Sequence, residues 1–288
     1  ISVIILTRDR PLYLAEAVAS VLSQSHSELE LIIVNDGAMP LPDFDDPRIR
    51  VLNSGQSGAV PARNLGIAAA QGEAIAWLDD DDVWTDVDFL KTCTKQFNQG
   101  SNLIFGDGAL VFPDGTRKTF AKHADAQTLQ HDNTILISAV CYRTNLHSSL
   151  GDFDLALPYY WDWDWYLRVA RAEKTMTHLH ASVTNILIHA QNMSGDSNSL
   201  ARKDNLNLMC RKHDLGDIEF RDDAVAQRTD DCNVGRGAPH HRLGLQANGQ
   251  RLAQSLINCH PGRFIDNNPL TAHVDERIRG PQIDRYIQ

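Results

Sequence analysis

Positive charge is scarce in this chain: 27 lysines and arginines face 37 aspartates and glutamates, a net charge of −10 over 288 residues. That deficit argues against a surface built to hold nucleic acid non-specifically and weakens any case for a polybasic membrane patch. No apolar run reaches the ~18 residues of a membrane-spanning helix. No signal peptide precedes the first strand; the cysteine pattern makes a reducing cytosol the simpler setting, peripheral attachment at the inner face of the membrane included. The chain opens directly on the strand-like ISVIIL, which leaves open whether native residues precede Ile1. Paired cysteines are missing too. Cys93, Cys141, Cys210, Cys232 and Cys259 are odd in number, scattered and without a CxxC, which argues against a disulfide framework or a zinc ribbon. A grouping of Cys232, His240, His241, Cys259 and His260 matches no standard zinc spacing. No GxGxxG follows the first strand, and no GxxxxGK(S/T) occurs, so a dinucleotide fold of the usual type is disfavoured and a P-loop is excluded.

What is present is a hydrophobic content of 42%, enough for a sizeable core, arranged at first as alternating strands and helices. Ser2 to Leu6 is a continuous apolar run with β-branched residues, as expected of a strand buried on both faces. Pro11 opens a helical pattern in Leu14, Val18, Val21 and Leu22. Leu29 to Val34 and Ile49 to Leu52 are further strands. Ala59 to Gln71 is helical, and Ala74 to Leu78 is a fourth strand. Thr85 with Asp88 suggests a capping box for a helix reaching about Gln99. Such alternation predicts a mostly parallel sheet with helices on both faces. From Asn102 to Cys141 the expectation is short strands, with a turn at Asp114-Gly115. A helix is expected in the second half of LPYYWDWDWYLRVARA, a strand over His178 to His189, and a polar helix over Asn198 to His213. Beyond Leu215 the chain is polar and weakly periodic. The boundaries that follow are 1–110 for an α/β half, 111–214 for a second half of the same domain, and 215–288 for a C-terminal extension.

In a sheet of this kind, ligands bind beyond the carboxyl ends of the strands. Three predicted strands end in polar clusters: Thr7, Arg8, Asp9 and Arg10; Asn35, Asp36 and Gly37; and Asp79 to Asp82. All three would meet at one edge. Four adjacent carboxylates repel, by roughly 4 kcal/mol per contact pair at an effective dielectric of ~20. Strand alternation would put Asp79 and Asp81 on one side and Asp80 and Asp82 on the other. Two carboxylates on one side can serve a hard divalent cation such as magnesium, directly or through water. The competing role, decoration of a helix N-terminus, returns only ~0.3–1 kcal/mol per charge.

The set TRDRPLYL, LELIIVNDG, SGAVPARNLGIAAAQGE, WLDDDDVW, GDFD and WDWDWYLRV resembles the family 2 glycosyltransferases, over about residues 2 to 195. The resemblance implies a GT-A fold, a Rossmann-like mostly parallel central sheet flanked by helices, with residues 1–110 as the nucleotide-sugar-binding half and 111–214 as the acceptor-binding and catalytic half. It also implies inverting transfer of a sugar from a nucleotide diphosphate to an acceptor hydroxyl, with Mn2+ or Mg2+ bound. By position, Thr7 and Arg10 resemble residues of the base and ribose pocket. Asp36 resembles the carboxylate that accepts the base ring N–H, which suits uracil, thymine or guanine and so a UDP, dTDP or GDP donor, UDP first. Arg63 resembles the basic residue near the diphosphate, the alternative being a solvated helix arginine. Asp79 and Asp80 are expected at the nucleotide sugar, and Asp81 and His189 at the metal, His189 through the late sequence HxxNxS with Asn192 and Ser194.

The family's acidic pair before an aromatic reads Trp161-Asp162 here. Asp162 aligns with the catalytic base, and Trp161 stands where the pair has glutamate. Asp164 is the competing carboxylate. Trp161, Trp163 and Asp164 are candidates for the acceptor side, the aromatics being equally suited to a core. The expected acceptor is a glycan or other hydroxyl, in polysaccharide or glycoconjugate synthesis, with an oligomer contact open to the C-terminal extension. Two other classes stay in play. One is a haloacid-dehalogenase-like phosphatase, suggested by the strand-end DxDxV. The other is a non-catalytic sugar-nucleotide or glycan-binding module, suggested by Trp161.

Overall fold

The computed structural model describes residues 1–189, 192 and 199–220. Ser194, the late cysteine and histidine grouping, and all of the C-terminal extension past 220 lie outside the described residues. Six strands and three helices come first: β1 (Ser2–Thr7), α1 (Pro11–Leu22), β2 (Glu30–Asn35), β3 (Ile49–Asn53), α2 (Ala59–Ala69), β4 (Ala74–Asp79), β5 (Val83–Trp84), α3 (Phe89–Asn98) and β6 (Leu103–Val111). Then come β7 (Arg117–Phe120), β8 (Val140–Arg143), α4 (Asn145–Leu150), α5 (Trp161–Arg171), β9 (Met176–Leu187) and α6 (Ser199–His213).

The strands form one sheet in the order β3-β2-β1-β4-β8-β6-β9-β5, with β7 pairing beside β6. β1 runs parallel to β2 and β4, β2 to β3, and β6 to β9; β8 is antiparallel to both β4 and β6. Two cores lie on its opposite faces, and alternation within β1 assigns them. Ile4 joins Ile32, Val34, Ile67 and Trp77 on the face covered by α2 and α5, whereas Val3 and Ile5 join Leu14, Val18, Leu31 and Leu90 under α1 and α3. Val3, Ile4 and Ile5 are all 0% exposed, which is why the strand reads as an unbroken apolar run. On α2, Gly66 lets the helix sit close: a Cβ there would stand 2.8 Å from Ile4 Cγ2.

Long-range polar contacts join the quoted motifs. Asn64 donates from Nδ2 to the Phe153 carbonyl at 2.9 Å and accepts the Phe153 N–H at 3.1 Å, tying α2 to the GDFD segment. Asp9, held at φ 56, accepts the Ala38 and Met39 N–H groups at 3.0 and 3.1 Å, so the loops after β1 and β2 are bound together.

One element departs from expectation. No capping box forms at Thr85: α3 begins at Phe89, and its preceding residue Asp88 makes no side-chain cap. The Thr85 N–H instead donates to the Val183 carbonyl at 2.9 Å, because Val83 and Trp84 are drawn into the sheet beside β9. Sheet pairing outcompetes the local helix signal here.

Candidate active site at the carboxyl edge of the sheet

The three polar clusters meet where β1, β2 and β4 end. Regular strand alternation stops at Asp79, since the Asp82 N–H closes a turn onto the Asp79 carbonyl at 3.1 Å. The expected pairing of Asp79 with Asp81 alone is therefore incomplete. Asp79, Asp81 and Asp82 each offer a carboxylate oxygen within 4.8 Å of the others, and Asp80 turns toward β1. There Asp80 Oδ2 accepts the Thr7 hydroxyl at 2.7 Å, and Oδ1 lies 3.3 Å from Arg10 Nη1. The same Arg10 nitrogen reaches Asp81 Oδ2 at 2.7 Å.

Burial and mutual repulsion act together on these acids. Burial pushes the Asp80 carboxyl up to about 6, against the hydrogen bond from Thr7. Burial also raises Asp79, opposed by the Arg63 charge, and raises Asp82 well above the ordinary carboxylate range, aided by Asp79 and Asp81. The repulsion in WLDDDDVW is thus met by Arg10 and Arg63, by hydroxyl donors, and by carboxyl groups that hold protons more readily than usual. Asp82 has both oxygens engaged: Ser138 donates its hydroxyl to Oδ2 at 2.5 Å, and the Leu187 N–H donates to Oδ1 at 3.1 Å. Ser138 Oγ also accepts the Asp79 N–H at 3.0 Å.

His189, just past β9, brings Nε2 to 2.9 Å from Asp81 Oδ2, and its ring stacks on Tyr13 at 5.2 Å between centroids. Asn192 accepts the His189 N–H at 2.6 Å and places Nδ2 3.4 Å from the same Asp81 oxygen. These donors crowd Oδ2, while Asp81 Oδ1 and Asp79 Oδ2 have no hydrogen-bond partner among the described residues. Three hard oxygens at this spacing, partly burdened with desolvated charge, are a donor set that fits Mg2+ or Mn2+.

Arg63 is not a solvated helix arginine. It is 5% exposed, donates from Nη2 to Asp79 Oδ1 at 2.8 Å, and lies over the Trp161 ring at 4.3 Å. Its Nε and Nη1 are buried with no hydrogen-bond partner. Buried guanidinium donors left without an acceptor are costly. Asp36 is buried, and its Oδ1 accepts the Gly58 N–H at 3.2 Å as well as the Ser54 hydroxyl.

Asp162 lies half-buried in the first turn of α5, next to Trp161 and so beside Arg63. Its Oδ2 accepts the Asn133 side-chain amide at 2.8 Å. Burial raises its carboxyl, opposed by that hydrogen bond. The other residues expected on the acceptor side sit elsewhere. Trp161 is 6% exposed and packs on Phe153 and Trp77; Trp163 is 3% exposed and donates from Nε1 to the Leu129 carbonyl at 2.7 Å. Neither indole offers an open face for a sugar, because both fill the core beneath α5. Asp164 is 0% exposed and faces α6, with Lys212 Nζ at 2.6 Å, His213 Nε2 at 2.7 Å and Arg168 Nη2 at 2.9 Å. It is a helix-to-helix anchor with both carboxylate oxygens engaged.

Ser138, Asn133 and Asn64 are the contributors that sequence patterns missed. Ser138 and Asn133 are lone polar residues dozens of positions from their partners, with no motif spacing to mark them; Asn64 lies inside the quoted SGAVPARNLGIAAAQGE stretch, but its partner Phe153 is 89 positions away.

Comparison with known proteins agrees with this geometry. Residues 2–150 match the glycosyl transferase family 2 profile. The uncharacterized glycosyltransferase YwdF of Bacillus subtilis is 34% identical over 242 residues, covering 78% of this chain and 88% of its own. The S. aureus TarS 1-349 structure in complex with UDP-GlcNAc superposes with a TM-score of 0.58 at 16% identity, over 76% of this chain and 68% of that one. The Pyrobaculum calidifontis mannosyltransferase PcManGT, in complex with GDP-Man and Mn2+, gives 0.53 at 13% identity, over 76% and 65%. The chain belongs to glycosyl transferase family 2, has the GT-A fold of these structures, and is a glycosyltransferase. The phosphatase and the binding-module readings find no support in these comparisons. Among the described residues no helix is long and apolar enough to cross a membrane.

Proposed function

We propose that this enzyme moves a sugar from a nucleotide diphosphate donor to an acceptor hydroxyl with inversion, in a divalent-metal-dependent reaction of polysaccharide or glycoconjugate synthesis. The observation that carries the reading is one sheet edge holding three clustered carboxylates, a buried arginine with two unpartnered nitrogens, and the half-buried Asp162. A diphosphate supplies the acceptor oxygens that Arg63 Nε and Nη1 lack. Asp81, with Asp79, Asp82 and His189 around it, would hold Mn2+ or Mg2+. Such an ion, when bound, supplies Lewis-acid stabilisation of the diphosphate leaving group. Thr7 and Arg10 brace Asp80 on the ribose side, and Asp36 takes the base N–H, with UDP as the first choice of donor. TarS with UDP-GlcNAc and PcManGT with GDP-Man support a nucleotide sugar and leave the base to experiment.

Asp162 takes the proton of the acceptor hydroxyl as that oxygen attacks the anomeric carbon. The new carbon–oxygen bond forms on the face opposite the diphosphate, and the old one breaks with its electron pair leaving on the phosphate oxygen. A raised carboxyl is a better proton acceptor than an ordinary aspartate. One displacement suffices, so no covalent sugar–enzyme intermediate is needed. Replacing Asp162 by Asn is expected to lower turnover by about 10²- to 10⁴-fold while calorimetry still registers nucleotide binding with Mn2+. Near-normal turnover in this variant would refute the assignment.

A further inference from the structure

In the acidic pair that Asp162 aligns with, the glutamate position is filled by Trp161, whose ring lies under Arg63 at 4.3 Å and carries no carboxylate. Another residue must then hold the Asp162 carboxylate in one orientation. We propose that Asn133, from the loop between β7 and β8, is the positioning residue for the base Asp162, an inference that rests on the function proposed above. Three features support it.

The contact is direct: Asn133 Nδ2 donates to Asp162 Oδ2 at 2.8 Å. The amide orientation has its own reason, since Asn133 Oδ1 turns to the Ile135 N–H at 3.5 Å, leaving the NH2 end for the carboxylate. The loop itself is anchored on both sides of Asn133. Trp163, the second residue after Trp161, donates from its indole to the Leu129 carbonyl at 2.7 Å. Leu129 and Ile135 are 0% and 3% exposed in the core under α5. An ion pair between Lys122 and Asp132 at 2.9 Å closes the loop, and Asp125 Oδ1 accepts the Thr128 N–H at 2.7 Å within it. The two tryptophans therefore divide the support of the site between them. Trp161 carries Arg63, and Trp163 holds the segment that aims Asp162. A donor fixed on Oδ2 sets the carboxylate plane, so the remaining lone pairs meet the acceptor hydroxyl in one geometry. It also favours the charged form that can accept a proton.

The test uses the full chain with UDP-GlcNAc, GDP-mannose and Mn2+, following nucleoside diphosphate release with water as acceptor. In parallel, protein labelled with 13C at aspartate Cγ is titrated by NMR; the Asp162 signal is the one absent from Asp162→Asn. Asn133→Ala is expected to raise the Asp162 midpoint and the acid limb of the rate profile by about one pH unit. It should lower kcat by about 10- to 100-fold with the donor KM unchanged. Asn133→Gln, which keeps an amide donor, should fall between the two. A wild-type midpoint and rate profile in Asn133→Ala overturn the proposal, and the NMR arm decides this even where turnover is too slow to follow. If Asp162→Asn is inactive and Asn133→Ala is normal, only the positioning role is lost. If Asp162→Asn turns over normally, the base assignment falls and takes this role with it.

Discussion

At the scale of single residues, the site depends on small groups that satisfy large charges. Ser138 is the clearest case, fully buried and serving two aspartates at once: its hydroxyl donates to Asp82 and accepts the Asp79 N–H. Removing that oxygen leaves a buried carboxylate and a backbone donor short of partners, each worth about 1–3 kcal/mol. Ser138→Ala is therefore expected to destabilise the protein by about 2 kcal/mol, seen as a fall in Tm of about 4–8 °C. An unchanged Tm by calorimetry would show that water replaces the hydroxyl. The acids themselves were legible from sequence, because a strand-end run of four aspartates has few other uses. Ser138 was not legible: it lies 56 positions from Asp82, in a short 3-10 turn whose sequence, ISA, reads as core. Asn133 escaped for the same reason. Only folding brings such residues to their partners, and hydrogen bonds across loops have no periodicity.

Elements were more legible than their edges. Strands buried on both faces declare themselves as apolar runs, so β1, β2 and β4 fall within a residue of where the pattern placed them. The start of α3 did not, since pairing with β9 pulls Val83 and Trp84 out of reach of the expected cap. The WDWDW segment left two roles open, core or sugar platform, and Trp163 and Asp164 secure α5 to its neighbours. This last role gives a pH prediction. Burial alone would raise Asp164, but bonds from His213 and Lys212, with Arg168 adjacent, outweigh it and hold the carboxyl at about 2. A folded value below the unfolded one means stability that is fully present above about pH 4 and lost as pH falls toward 2. The size is on the order of 2 kcal/mol. Asp164→Asn should accordingly lower Tm at pH 7, with the gap to wild type narrowing below pH 4 and closing as pH falls through about 2. Parallel curves across that range would show that the α5–α6 anchor contributes nothing.

For the whole molecule, the net charge of −10 sits uneasily with a diphosphate ligand unless local cations offset it. Arg10 and Arg63 are the cations built into this edge, and both already contact aspartates. A nucleotide diphosphate arriving alone would face Asp79, Asp81 and Asp82 with Arg10 and Arg63 already paired to aspartates. One arriving with a divalent ion would bring positive charge with it. Ligand binding to the folded chain raises stability by mass action, about 2.7 kcal/mol at a hundredfold excess over Kd. Thermal unfolding with UDP, GDP, dTDP and CDP, each with and without Mn2+, should thus show a synergy. The matching nucleotide plus Mn2+ is expected to raise Tm by several degrees more than the sum of either alone, and Asp81→Asn should abolish the excess. Because the ligand would join the ends of β1, β2 and β4 to α2, the gain should appear in the main unfolding transition. A nucleotide that stabilises equally without metal would mean that Arg63 and Arg10 alone carry the diphosphate, and that the acid cluster serves some other purpose.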